Sequence, residues 1–176
     1  AGFTHWAKLN NLKQAAKTMN FLTEHGISSY GELEGKLNAV SARRDTAHAE
    51  IKRIESRSAE LTLVMKHAGT YRQLKPLYDR YRKSNDKEKF LRGHESEIIL
   101  FEAAARELKR LGAVPLPTTE SMKTELANLS AEKERLLAEY KTARTEAQEY
   151  DTVKQNVDAL LTVPKEQEQQ RQHELE

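Results

Sequence analysis

The sequence predicts an all-α protein: a long antiparallel coiled-coil hairpin with a helical head and an additional N-terminal helix. Three observations carry this. Charged residues make up 32% of the 176 residues, with only 7 Gly and 4 Pro, so helix formers dominate and breakers are scarce. Two stretches space their apolar residues in alternating steps of four and three, the heptad rhythm of a coiled-coil seam. Those stretches, 29–74 and 118–163, each hold 46 residues. At a rise of about 1.5 Å per residue, each would be an arm of roughly 69 Å. A coiled coil between two chains satisfies the same seams, so the oligomeric state stays open at this level.

Residues 1–28 are expected to form an N-terminal helix packing on the hairpin. Trp6, Leu9, Leu12, Ala16, Met19 and Leu22 recur as one helical face. Gly26 is placed to end that helix in the left-handed conformation, with Ile27 folding back onto the last turn. Ser29 and Glu32 have the spacing of a capping box for arm one, 29–74. Its seam reads Leu33, Leu37, Val40, Arg44, Ala47, Ile51, Ile54, Ser58, Leu61, Met65 and Ala68, and continues through Tyr71, Leu74, Tyr78 and Tyr81. Arg44 and Ser58 are polar interruptions of the kind that fix register. Pro76 lacks a backbone donor and crowds the carbonyl four residues back, so a kink or break is expected near Leu74 and Lys75.

The helical head covers 75–117. Ser84, Asn85 and Asp86 read as a turn followed by a helix start. A third helix over 87–111 shows Phe90, Ile98, Phe101, Ala105, Leu108 and Leu111 on one face, and Gly112 stops it. Residues 113–117 form a short rigid connector with two prolines. Thr118 or Thr119 then starts arm two, 118–163, and Glu120 suits the positive end of the helix. Its seam is Met122, Leu126, Leu129, Lys133, Leu136, Tyr140, Ala143, Ala147, Tyr150, Lys154, Val157 and Leu161. Pro164 is expected to end it, leaving a flexible tail over 164–176.

Net charge is only +2, from 29 basic and 27 acidic residues, which points to no partner by itself. There is no cysteine, so disulfides, thiolate zinc sites and thiol nucleophiles are excluded. That suits a cytoplasmic location. No apolar run approaches the roughly 20 residues of a membrane helix, so no membrane partner is expected. No apolar leader segment is visible either, and the chain, which does not begin with Met, reads as a piece of a longer protein.

No catalytic constellation is recognisable, so no catalytic residue, metal site or cofactor is expected and the chain reads as a non-enzyme. The histidines are scattered. His94 and Glu97 share a helical face but lack a third ligand. The tyrosines fall on helical stripes, where packing explains them. Gly31 and Gly35 lack the strand–turn–helix setting of a phosphate loop. Charge is concentrated, however. Lys66, Arg72, Lys75, Arg80, Arg82, Lys83, Lys87, Lys89 and Arg92 face only Asp79, Asp86 and Glu88 in the same tract, so the rest of the chain is net acidic. These nine are the DNA-contact candidates, able to neutralise phosphates in a salt-sensitive, sequence-tolerant way. The other reading is a solvated basic face paired with acidic residues of arm two or the tail.

Four tracts taken together resemble the carboxy-terminal region of relaxase/mobilisation nuclease proteins from Gram-positive conjugative elements. They are WAKLNNLKQAAKTMNFLTEHGISSYGEL (6–33), LKPLYDRYRKSNDKEKFLRGHESEIILFEAA (74–104), LPTTESMKTELANLSAEKERLLAEYKTAR (116–144) and VKQNVDALL (153–161). The resemblance implies a parent enzyme that nicks one DNA strand at an origin of transfer, using a tyrosine and a histidine-held metal in an amino-terminal relaxase domain. No residue here matches those catalytic positions. The chain would be an accessory region, with DNA, a coupling protein or other transfer-complex proteins as partners. The alternative is a purely structural coiled-coil interaction or self-association module.

Overall fold

The computed structural model describes the backbone of residues 2–173 and the side chains of residues 10–162. Those residues form four α-helices and no strand. They are α1 (Gly2–Glu24), α2 (Tyr30–Lys83), α3 (Lys87–Arg110) and α4 (Thr119–His173). The protein is therefore all-α. Its chain divides into two compact units, Ala1–His48 with Leu137–Glu176, and Ala49–Leu136.

In the first unit, the core joins Leu33 and Val40 of α2 to Ala143, Ala147, Tyr150 and Val153 of α4. Phe21, Leu22 and Ile27 pack against it. Phe21 meets the Tyr150 ring edge-on at 5.2 Å and stacks on His25 at 4.0 Å. Polar pairs flank the core: Tyr30 donates to Asp158 (2.6 Å), Lys154 lies 3.9 Å from Glu34, and Arg43 bonds Glu146 (3.2 Å). Residue numbers rise along α2 as they fall along α4.

The second unit has its own core of Leu61, Val64, Ala68, Leu108, Ala113 and Met122. Lys133 reaches Glu55 at 2.7 Å, and Arg57 reaches Glu125 at 2.7 Å. An aromatic stack ties α3 to the end of α2: Phe101 lies against Tyr71 (4.8 Å) and Tyr78 (4.2 Å).

Helix ends follow local chemistry closely. Gly26 has φ +60 and Gly112 φ +68. At each, the residue after the glycine donates back five residues, Ile27 to Leu22 and Ala113 to Leu108, and the glycine itself donates to the third residue before it. Both are Schellman stops, which a residue with a Cβ adopts only under strain. Thr118 caps α4, its Oγ1 accepting from the Ser121 N–H at 3.1 Å. Asp86 caps α3 by accepting from the Lys89 N–H at 2.9 Å.

Several expectations are corrected. α2 does not break at Pro76 but runs on to Lys83. Proline costs about 3 kcal/mol in a helix interior, and the Tyr78–Phe101 stack beyond it supplies tertiary packing that holds the last turns. The boundary expected between 74 and 75 is thus not a helix end. α4 likewise passes through Pro164 to His173, so the tail expected from 164 is helical to 173, and residues 174–176 lie outside the described chain. The Ser29–Glu32 box is half formed: Ser29 Oγ accepts from the Glu32 N–H, but the Glu32 carboxylate turns to the Ser28 N–H (2.7 Å) and hydroxyl instead. Those bonds hold the Glu32 carboxyl below its ordinary value.

The inner face of α1 also differs. Leu12 and Met19, expected on it, are 68% and 58% exposed, and Ala16 is exposed too. Thr18, 2% exposed, takes the inner position. Its Oγ1 accepts from Asn156 Nδ2 (3.2 Å), and Asn156 Oδ1 accepts from Gln14 Nε2 (2.7 Å). Phe21 and these polar bonds set the helix's rotation against the apolar stripe. The side chains of Trp6 and Leu9 lie outside the described set.

Candidate nucleic-acid interface

The nine basic residues divide by what surrounds them. All nine are exposed. Arg72 is engaged on the connector side, donating to the Pro117 carbonyl and Thr119 Oγ1. Lys75 and Arg92 pair within their own helices, Lys75 with Asp79 at 3.0 Å and Arg92 with Glu88 at 2.7 Å. Lys66 sits on α2 about 25 Å before its end, by a rise of about 1.5 Å per residue. The other five gather at one place. Arg80, Arg82 and Lys83 occupy the last turn of α2, and Lys87 and Lys89 lie in the first turn of α3. Only Ser84, Asn85 and Asp86 separate the two sets.

This corner is positive for a local reason. The acids nearest in sequence are engaged, Asp79 with Lys75 and Glu88 with Arg92 as ion pairs, and Asp86 through one carboxylate oxygen with the start of α3. Among the described residues no ion pair holds Arg80, Arg82, Lys83, Lys87 or Lys89. Among the described residues none of the nine is paired to a carboxylate of α4. The nine do not form one stripe, because successive helical residues turn by about 100°. Five of them form a cationic corner, and Lys66, Arg72, Lys75 and Arg92 stand apart from it.

The turn itself is tightly built. Ser84 Oγ donates to the Asp86 carbonyl (3.0 Å) and accepts from the Asp86 N–H (3.3 Å). Beneath it, Tyr78, Tyr81 and Phe90 pack in sequence, with Tyr81 at 5.9 Å from Tyr78 and 6.0 Å from Phe90. Burial, followed by the Glu102 carboxylate, pushes the Tyr78 phenol up, the opposite direction from an activated nucleophile.

Sequence reasoning missed one feature. α3 is kinked at His94, whose backbone has φ −142 and ψ 24, beside Gly93. A glycine inside a helical pattern was the available signal. The kink opens a shallow hollow of about 290 Å³ lined by Ser84, Asp86, Lys89, Phe90, Gly93 and His94. The imidazole lies 4.8 Å from the Phe90 ring. Among the described residues His94 Nδ1 has no hydrogen-bond partner, and Glu97 Oε1 stands 3.7 Å from it. Among the described residues, no three His, Asp or Glu side chains converge on a possible metal position. No described helix is long and apolar enough to cross a membrane.

In the first unit a larger groove of about 1000 Å³ runs between α1 and α4, with Lys13 and Lys17 on one wall and Glu149 on the other.

Fold and corner together define an all-α protein with a cationic helix–turn–helix corner. A scan against protein-family models, a search of curated proteins and a search of solved structures each return no match.

Proposed function

We propose that the chain is a non-catalytic accessory region of a DNA relaxase, which positions origin or transferred-strand DNA through the α2–α3 corner during conjugative mobilisation. The observation that carries this reading is the set of five exposed cations at the corner, Arg80, Arg82, Lys83, Lys87 and Lys89, with the neighbouring acids already engaged. The resemblance of four tracts to relaxase carboxy-terminal regions supplies the parent protein. In this reading α2 and α4 form the antiparallel coiled-coil hairpin that presents the corner. The cross-helix pairs within each unit, such as Arg43–Glu146 and Lys133–Glu55, support that geometry.

The test is a salt titration of DNA binding. Five phosphates neutralised on duplex DNA give a slope of log Kobs against log salt of about −4.5, and about −3.5 on a single strand. Replacing Lys83, Lys87 and Lys89 with Ala flattens the slope by about 2 to 3. Absence of salt-dependent binding at micromolar protein overturns the proposal.

A second reading, docking of a transfer-complex or coupling protein, is favoured by the exposed Leu12 and Met19 on the outer face of α1. Retention of a purified coupling protein on the immobilised chain, lost in a Leu12→Glu/Met19→Glu variant, supports it.

A further inference from the structure

We propose that the hollow at the α3 kink is a slot for one unpaired nucleobase, selective for bases that carry an exocyclic amine. The proposal rests on the nucleic-acid reading of the corner and adds to it what the corner does with a base rather than a phosphate.

Three features of the hollow support it. Its walls include two rings, Phe90 and His94, tilted by 40° at 4.8 Å, which offer a base a surface to stack on. Gly93 also lines it, and an added Cβ there would meet nothing within 4 Å. Its volume of about 290 Å³ equals the share of roughly ten waters, room for a planar heterocycle at the surface. Lys89 lines the same hollow, and Lys83 and Lys87 flank the turn beside it. The sugar–phosphate on either side of an inserted base therefore has cations within its reach.

The selectivity follows from Asp86. One of its oxygens, Oδ1, accepts from the Lys89 N–H and closes the helix end. Among the described residues the other oxygen has no hydrogen-bond partner, and Asp86 is one of the residues that line the hollow. A carboxylate there repels phosphate but accepts from an amine, as carboxylates do from cytosine N4. Cytosine and adenine present that amine where thymine presents the O4 carbonyl, which leaves thymine only its ring N3–H to donate.

Fluorescence anisotropy with the 176-residue chain and labelled ten-nucleotide strands of dC, dA, dT and abasic deoxyribose phosphate tests the slot. At low salt, dC and dA are expected to bind about fivefold or more tighter than the abasic strand, the scale of one stacked base. dT is expected to fall between. Gly93→Leu fills the hollow and favours helix over glycine. It is expected to bring all strands to the abasic affinity without changing the abasic value. Asp86→Asn keeps the cap but presents an amide donor, and is expected to move the dC/dT affinity ratio toward dT. Equal affinity for abasic and base-containing strands, or an unchanged profile in Gly93→Leu, overturns the slot while leaving phosphate binding standing. No binding of any strand overturns both.

Discussion

Gly69 and Gly112 show how far a single backbone angle decides the effect of a methyl group. Gly69 lies inside α2 with open space around an added Cβ, whereas Gly112 holds φ +68 at the end of α3. Gly69→Ala is expected to stabilise the protein by about 0.4–1 kcal/mol, because it removes unfolded-chain freedom at no native strain. Gly112→Ala is expected to destabilise it by about 1–2 kcal/mol, the cost of the left-handed region for a residue with a Cβ. Urea midpoints moving in the same direction would contradict this. The Asp86 cap predicts a third shift: Asp86→Ala loses about 1 kcal/mol, and Asp86→Asn much less. Residue-scale features of this kind were legible in advance. Gly26, Gly112, Thr118 and the Ser84–Asp86 turn each follow from a side chain acting on backbone within a few residues.

At the scale of elements, the seams were legible and the faces of single helices less so. Arm-one seam positions from Leu33 to Tyr81 are all buried or half-buried, and those of arm two are so from Met122 to Val157, while Leu161 is exposed. A heptad repeated many times averages out local exceptions. α1 has only a few repeats, and there Thr18 and Phe21 outvoted Leu12 and Met19 through partners on α4 that no local pattern reveals. Prolines misled for the same reason: α2 persists past Pro76 because Tyr78 finds Phe101. Phe101, 5% exposed between Tyr71 and Tyr78, is therefore the joint of α2 and α3. Phe101→Ala is expected to destabilise the second unit by about 3–5 kcal/mol, with α3 amides losing hydrogen-exchange protection first. Pro76→Ala is expected to stabilise α2 by up to about 3 kcal/mol. The candidate interface was legible as a charge surplus, but which five cations meet depended on where α2 ends, and the hollow depended on a kink.

Across the whole molecule, acid sensitivity concentrates in the first unit. Hydrogen bonds from Ser28 hold Glu32 low, Arg44 holds Asp45 low, and Tyr30 with Lys154 holds Asp158 low. A carboxyl group that is harder to protonate folded than unfolded stabilises the fold fully above its unfolded value. Those ordinary values are 4.5 for Glu32 and 3.8 for the two aspartates, and the contribution is lost as pH falls through the lowered folded value. Lys154, raised by the Tyr30 hydroxyl and Asp158, behaves in the opposite sense and loses its contribution only at strongly alkaline pH. Amides near Glu32, Asp45 and Asp158 are expected to lose protection as pH drops from about 4 toward 2, and only modestly, since these groups are solvent-screened. Protection unchanged over that range would contradict the assignment.

The Asn156 amide has a consequence for how α1 is seated. Its two ends bind Thr18 and Gln14, so α1 is keyed to α4 by a single side chain that accepts one rotation of the helix. The greasier stripe of Leu12, Ala16 and Met19 is left facing water, which makes α1 a helix with two competing seatings and one polar key choosing between them. Asn156→Leu removes the key and is expected to let the apolar stripe turn inward. Slower peroxide oxidation of Met19 in that variant than in the parent chain would report the turn; an unchanged rate would show that Phe21 alone sets the seating.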